Sequence, residues 1–187
     1  MKAPGVLMGV LLGIAVVAAG AALWYFEPWA DDDDSVDLSS LQGELSGSAC
    51  RRVAGLAAKL AERDEDPRAF LRDFGRQAAG VRPPPRAIGD LARGGRNLIV
   101  GKGFLARYDD GSSGQARHFA GIAVATTYVG GGSATRWISE HIRDDAPNQA
   151  DGRLTDEAIE FSNEVLSEEL PLADTPQWLL DNLCRRT

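Results

Sequence analysis

The amino-acid sequence predicts a mainly α protein, with a single N-terminal transmembrane helix followed by a compact, mostly helical exported domain. Residues 3–26 contain no charged side chain, apolar residues recur at helical spacing in the rest of the chain, and the only two cysteines lie near the ends of that part. We therefore divide the chain into a transmembrane anchor at 1–29, an acidic juxtamembrane linker at 30–47 and a helical extracytoplasmic domain at 48–187.

The bulk composition indicates a folded protein that does not bind nucleic acid. The chain has 187 residues, of which 44% are hydrophobic and 25% charged, enough for one ordinary domain plus an appendage. Its formal net charge of -7 repels a phosphate backbone, and Arg51–Arg52 and Arg185–Arg186 are isolated basic pairs. We therefore expect no nucleic-acid partner.

The N-terminal apolar run has the length of a retained anchor. As a helix, Val6–Phe26 would span about 31 Å, close to the thickness of a bilayer core. A cleavable signal peptide has a shorter apolar region, usually about 7–15 residues. Cleavage is the alternative interpretation, because Ala19–Ala21 (AGA) fits a small-x-small site.

Aromatic and basic residues indicate how the anchor is placed. Trp24, Tyr25 and Trp29 cluster where the helix would leave the bilayer, and such rings favour the headgroup layer. Lys2 precedes the apolar run, and no further Lys or Arg follows until Arg51. The positive-inside bias then predicts a cytoplasmic N-terminus in the inner membrane and a periplasmic C-terminal domain. The richness in Ala, Arg, Gly and Asp is typical of a bacterial protein.

Small residues at spacings of four and eight predict a helix-packing stripe on the anchor. Gly5, Gly9, Gly13 and Ala21 share one side of a helix, which lets a neighbouring backbone approach closely. The expected partners are the lipid bilayer and other transmembrane proteins, or a second copy of the same helix. The alternative is chance, since glycine and alanine are common in single-pass anchors.

Start signals divide the first half of the exported part into helices. Ser48 stands at a capping position before apolar residues at helical spacing, and Asp66–Pro67 is a second start signal. The three prolines within Arg82–Arg86 must end the second helix. They predict a short polyproline segment that serves as a rigid corner, or alternatively as a ligand for an aromatic groove.

The second half is also predicted to be helical. Gln115–Val129 is typical of a buried helix, although its β-branched residues also suit a strand, and the glycines at 130–132 end it. Ser133 opens the next helix. Thr155 is expected to cap another, with acidic residues in its first turn, and Thr175–Pro176 begins a short last helix.

The two cysteines predict one disulfide. Cys50 and Cys184 both lie beyond the membrane in the inferred topology, where disulfide bonds persist. A bond between them would close nearly the whole domain into one loop, which the chain-entropy model values at about 4–5 kcal/mol. The alternative is two unrelated small core residues.

Two segments carry part of a ligand-binding motif and lack the rest. In Asn97–Ala106 (NLIVGKGFLA), a strand-like run precedes G-x-G-x-x-A, but no carboxylate or clear second strand follows at the required distance. In Asp151–Ala158 (DGRLTDEA), the alignment with a calcium loop puts Pro147 and Ala158 at ligand positions. We therefore predict no cofactor.

One polar set could carry chemistry. His118, Glu140, His141 and Asp151 lie in or beside helical stretches, and the chain contains no other histidine. If the two helices pair antiparallel across the glycine turn, the rings converge near a carboxylate and form a candidate zinc site or acid–base pair. The alternative is a structural or exposed histidine, because Glu140 and His141 point to different helix faces.

These features lead to three functional hypotheses. The first is a single-pass accessory or structural subunit of a larger membrane protein complex, whose anchor packs on partner helices and whose domain braces or caps the complex on its outer face. The second is a membrane-anchored envelope hydrolase or metal-binding domain that uses His118, Glu140 and His141. The third is an anchored ligand-binding module, which requires an apolar pocket.

Overall fold

The structure is a computed structural model, and it describes residues 47–129, 131–133, 135–136 and 149–186. The predicted anchor, its helix-packing stripe, its aromatic residues and all of the acidic linker except Gly47 lie outside these residues. Among the described helices, none has the length and apolar character that a membrane crossing requires.

The described part of the chain is mainly helical, as the sequence predicts. Two single-turn 3-10 helices, Ala106–Tyr108 and Leu172–Asp174, accompany the α-helices, and residues 132–133 and 135–136 are also helical. The α-helices with defined bounds are α1 (Ala49–Arg63), α2 (Pro67–Ala79), α3 (Arg86–Ala92), α4 (Gln115–Val129), α5 (Ala150–Leu166) and α6 (Thr175–Leu183).

The predicted starts of α1 and α2 are confirmed. Ser48 is the N-cap of α1, where its hydroxyl accepts a hydrogen bond from the Arg51 amide at 3.4 Å. Asp66 caps α2 by accepting from the Ala69 amide at 2.7 Å, and Pro67 takes the first helical position. These side chains satisfy amide groups that the first turn leaves without a helical partner.

The corner after α2 differs from the predicted polyproline segment. Residues 83–85 form a turn, closed by a hydrogen bond from the Arg86 amide to the Pro83 carbonyl at 3.1 Å, and α3 follows at once. Asp90 on α3 holds this corner, because its carboxylate accepts bonds from the Arg82 amide and guanidinium. The side-chain bond from Arg82 is the main cause that lowers the pKa of Asp90 to about 2.

The core forms where α4 packs between α2 and α5. Phe74 on α2 lies 6.3 Å from Phe119 on α4 and 6.1 Å from Phe161 on α5, measured between ring centroids. Phe161 also lies 5.1 Å from Trp178, which brings α6 onto the same aromatic cluster. Three buried phenylalanines, one from each of these helices, therefore contact one another in the core, and partly buried Trp178 packs against them from α6.

Cys50 and Cys184 form the predicted disulfide, with 5.5 Å between their Cα atoms. Beside it, the chain after α6 pairs antiparallel with Phe104 through an isolated β-bridge. The Leu105 amide donates to the Leu183 carbonyl at 2.8 Å, and the Arg185 amide donates to the Gly103 carbonyl at 2.8 Å. Three parts of the chain therefore contact one another here: the beginning of α1, the loop before α4 and the segment that follows α6.

Two local expectations are wrong. Thr155 does not cap a helix, because α5 begins five residues earlier, at Ala150, and Thr155 lies buried in its interior. Helix α5 therefore includes residues 151–153, and Leu154 in the same turn is buried. The strand-like run at 97–100 is not a strand, and within the described ranges no strand occurs beyond the single bridge at Phe104.

Helices α2 and α4 approach so closely that a glycine is required between them. A Cβ atom at Gly75 would fall on the side chain of Val124, whereas one at Gly121 would lie 3.9 Å from the Ala79 Cβ, at ordinary contact distance. Both glycines lie inside helices, where alanine is intrinsically preferred by up to about 1 kcal/mol. The space around each residue therefore decides the effect of a substitution.

We predict opposite effects for alanine at these two glycines. Gly75→Ala should lower the free energy of unfolding by about 1–3 kcal/mol, because α2 and α4 must move apart. Gly121→Ala should leave it unchanged or raise it by up to about 1 kcal/mol. Urea unfolding followed by circular dichroism measures both, and equal changes in the two variants would contradict the packing described here.

Candidate functional site

Helix α4 carries His118 into the interior of the domain. The ring lies in the first turns of the helix, and the residue is only 4% exposed. Apolar side chains surround α4 on most of its circumference, which is typical of a fully buried helix. A polar ring in such a helix requires hydrogen-bonding partners from its neighbours.

Helix α5 supplies one hydrogen-bonding partner, Thr155, and one acidic neighbour, Asp151. The His118 Nε2 atom lies 2.8 Å from the Thr155 Oγ1 atom, and the donor in this bond depends on the imidazole tautomer. The His118 Nδ1 atom lies 4.0 Å from the Asp151 Oδ2 atom, close enough for a charge–charge interaction when the ring is protonated. Asp151 and Thr155 are four residues apart on α5, so they lie on the same helix face.

The sequence-predicted set is brought together only in part. His118 on α4 lies near Asp151 on α5, whereas the predicted convergence was with the helix that follows the glycine turn, and its Glu140 and His141 lie outside the described residues. In the part of the chain that the structure describes, no group of three or more His, Cys, Asp or Glu side chains could hold a metal ion. Thr155 also contacts His118 but was not among the predicted site residues. Its spacing of four from Asp151, which places both on one face of a helix, was the only sign of this role in the sequence.

The order of the groups limits their chemistry. A hydroxyl, an imidazole and a carboxylate follow one another, as in acyl-transfer sites. However, Thr155 is 1% exposed, while the Asp151 side chain at the other end is 35% exposed. Because a nucleophile must reach the substrate carbonyl, this arrangement supports a hydrogen-bonded link between α4 and α5 better than it supports a hydrolytic site.

A second polar cluster connects α5 to the 3-10 helix before α4. The buried Tyr108 hydroxyl donates a hydrogen bond to Glu157, and Arg107 lies 3.7 Å from the same carboxylate. Arg153 adds a bond from its Nε to the Arg107 carbonyl at 2.8 Å. Burial, followed by the bond to Glu157, raises the pKa of the Tyr108 hydroxyl above its ordinary value. Tyr108 therefore stays protonated and serves as a donor.

An open groove of 730 Å³ runs along the outer face of α5. Asp156, Glu160 and Glu164 line it together with partly buried Ile159 and Leu166. Burial and the negative charges of Glu157 and Glu164 raise the pKa of Glu160. Half of the lining residues are acidic and the groove is open, so it is not the enclosed apolar pocket that a ligand-binding module requires.

No family model, curated protein or solved structure matches this chain.

We predict that the hydroxyl of Thr155 stabilises the interface between α4 and α5. Thr155→Val should lower the free energy of unfolding by about 1–3 kcal/mol, because the substitution removes a buried hydrogen-bond partner of His118. Thr126→Val is the matched control. Thr126 is equally buried, but its hydroxyl bonds only a carbonyl of its own helix, and this carbonyl keeps its helical amide donor.

Denaturant unfolding of the two variants checks this prediction. The account expects a loss of less than about 1 kcal/mol for Thr126→Val, since no buried group there loses its last partner. A loss at Thr155 no larger than that at Thr126 would show that the imidazole does not depend on this bond.

Proposed function

We propose that the protein is a single-pass, membrane-anchored accessory or structural subunit of a larger membrane complex. In this proposal, residues 1–29 cross the inner membrane with the N-terminus in the cytoplasm, and the helical domain braces or caps the complex on the periplasmic face. The glycine stripe packs the anchor against partner helices, or against a second copy of itself.

The observation that carries the proposal is the position of the disulfide. Cys50 is the second residue of α1, just after the predicted linker ends, and its bond to Cys184 fastens the opposite end of the domain to the same place. A force that enters the domain from the linker therefore meets a covalent bond before it reaches the packed helices. This suits a domain that braces an assembly.

The chemistry of the disulfide supports the exported side of the proposal. Structural disulfides persist in oxidising compartments such as the bacterial periplasm and are rare in the cytosol. The charge bias around the apolar run independently favours export of the same residues, since Lys2 precedes the run and the next basic residue is Arg51. Two unrelated physical arguments therefore agree on the side of the membrane.

The anchored hydrolase is less well supported. The link from His118 to Thr155 and Asp151 has suitable chemical groups, but the hydroxyl lies at its enclosed end. The adjacent Tyr108 hydroxyl, whose residue is 1% exposed, is held by a hydrogen bond to the partly buried Glu157. The described geometry thus gives a structural reason for these polar groups without a substrate.

The glycine stripe provides the test of the proposed function. Gly9→Leu should reduce the amount of partner that co-purifies by about tenfold, the factor that corresponds to roughly 1.4 kcal/mol of lost helix packing. Ala18→Leu is the matched control, because nine residues place it about 180° away from Gly9 on a helix. Purification from native membranes in mild detergent, with quantitative mass spectrometry, measures both variants.

The result depends on the comparison between the variants. The proposal expects the Ala18→Leu protein to retain its partners and both variants to keep the circular dichroism spectrum of the wild-type domain. If Gly9→Leu and Ala18→Leu retain the same partners equally, the glycine stripe does not pack against those partners. A protein that purifies alone from native membranes would contradict the role as a subunit.

A further inference from the structure

The residues around Cys184 form a strap over the disulfide. We define the C-terminal strap as Leu183–Arg185, which lies against residues 103–105. Its backbone accepts a hydrogen bond from the Leu105 amide and donates one to the Gly103 carbonyl, both at 2.8 Å. The strap pairs at Gly103 with backbone that favours glycine, because its φ is 110° and a Cβ atom there would meet the Ser48 side chain before α1.

The side chain of Arg185 fastens the C-terminal strap a second time. Its Nε atom donates to the Phe104 carbonyl at 2.7 Å, and its Nη2 atom lies 2.9 Å from the Asp109 carboxylate. Asp109 is itself held by Lys102, whose ammonium lies 3.3 Å from the same carboxylate. The backbone bond from Gly111 and the bond from Lys102 lower the pKa of Asp109, so this carboxylate is charged at neutral pH.

The disulfide beneath the strap is withdrawn from solvent. Cys50 is 0% exposed and Cys184 is 3% exposed. Thiol–disulfide exchange requires a thiolate to reach a sulfur atom and form a mixed disulfide. A reagent in solution therefore has no path to either sulfur while Arg185 and the backbone bonds hold the strap in place.

We propose that the C-terminal strap closes the disulfide to exchange, so that an oxidant that itself carries a disulfide must form the bond before the strap docks. In that reaction, a thiolate of the chain attacks the disulfide of the oxidant, forms a mixed disulfide and releases one thiol of the oxidant. The second thiolate of the chain then attacks the mixed disulfide. Cys50 and Cys184 together lose two electrons and two protons, and the oxidant is reduced to a dithiol.

This inference goes beyond the proposed function and does not depend on the partner of the anchor. The reaction partner that it requires is an oxidant that carries a disulfide and acts on the incompletely folded chain. The order of steps is therefore fixed. Oxidation of the two cysteines comes first, and docking of Arg185 onto Phe104 and Asp109 then protects the disulfide from exchange.

The rate of disulfide reduction in the folded protein tests the proposal. The full chain, purified in mild detergent, is exposed to increasing dithiothreitol, and free thiols are trapped by alkylation and counted by mass spectrometry. For the wild type we expect reduction to be much slower than for the urea-unfolded chain at the same dithiothreitol concentration, because the reductant reaches the sulfur atoms only while the strap is open. Arg185→Ala should raise the rate at a fixed dithiothreitol concentration by about tenfold or more, since it removes charge-assisted bonds.

Arg186→Ala is the matched control, because Arg186 is exposed and adjacent to Arg185 in sequence. We expect it to reduce at the wild-type rate. Should Arg185→Ala fail to fold, Asp109→Asn tests the same ion pair from its other end and should also accelerate reduction. Reduction of the wild type as fast as that of the unfolded chain, or equal rates in the wild type and the tested folded variant, would overturn the proposal.

Discussion

The bond between Cys50 and Cys184 is the constraint on which the rest of the domain depends. It spans 134 residues of sequence and brings the start of α1 against the segment that follows α6. In the chain-entropy model, a loop of this size adds about 5 kcal/mol by restricting the unfolded chain. That contribution equals the entire stability of many domains, which is about 5–15 kcal/mol. The β-bridge at Phe104 and the ion pair of Arg185 are built on the position that this bond imposes.

Within the closed loop, the helices are organised around α4. Its neighbours bury it on almost every side, so its polar residues must be satisfied inside the domain. His118 bonds to Thr155 on α5, and the hydroxyl of Thr126 returns to a carbonyl of its own helix. Apolar packing and hydrogen bonding therefore act on the same interfaces. The contact between His118 and Thr155 is one of these internal hydrogen bonds, and the Thr155 hydroxyl is therefore buried between α4 and α5.

Local signals in the sequence predict much of this fold. The starts of α1 and α2 are encoded by Ser48 and Asp66–Pro67, and the bounds of α4 follow from a continuous apolar run ended by glycines. The role of Thr155 could not be predicted in the same way, because a threonine before acidic residues has the same local pattern whether it caps a helix or faces a buried histidine. Helix α3 was missed for a related reason: its seven residues follow three prolines, and its position depends on the distant pairing of Asp90 with Arg82. The approach of Asp151 to His118 depends on how α5 packs against α4, and the predicted pairing across the glycine turn concerned a different helix.

The redox state of the two cysteines in intact cells tests the central claim most directly. Cells are quenched in acid, the protein is denatured, and free thiols are alkylated before and after reduction. Denaturation matters because Cys50 and Cys184 are buried, so that even free thiols would escape a reagent in the folded protein. The account predicts that neither cysteine of the mature protein reacts until a reductant is added. Two thiols that react without reduction would contradict both the covalent closure of the domain and its proposed place outside the cytoplasm.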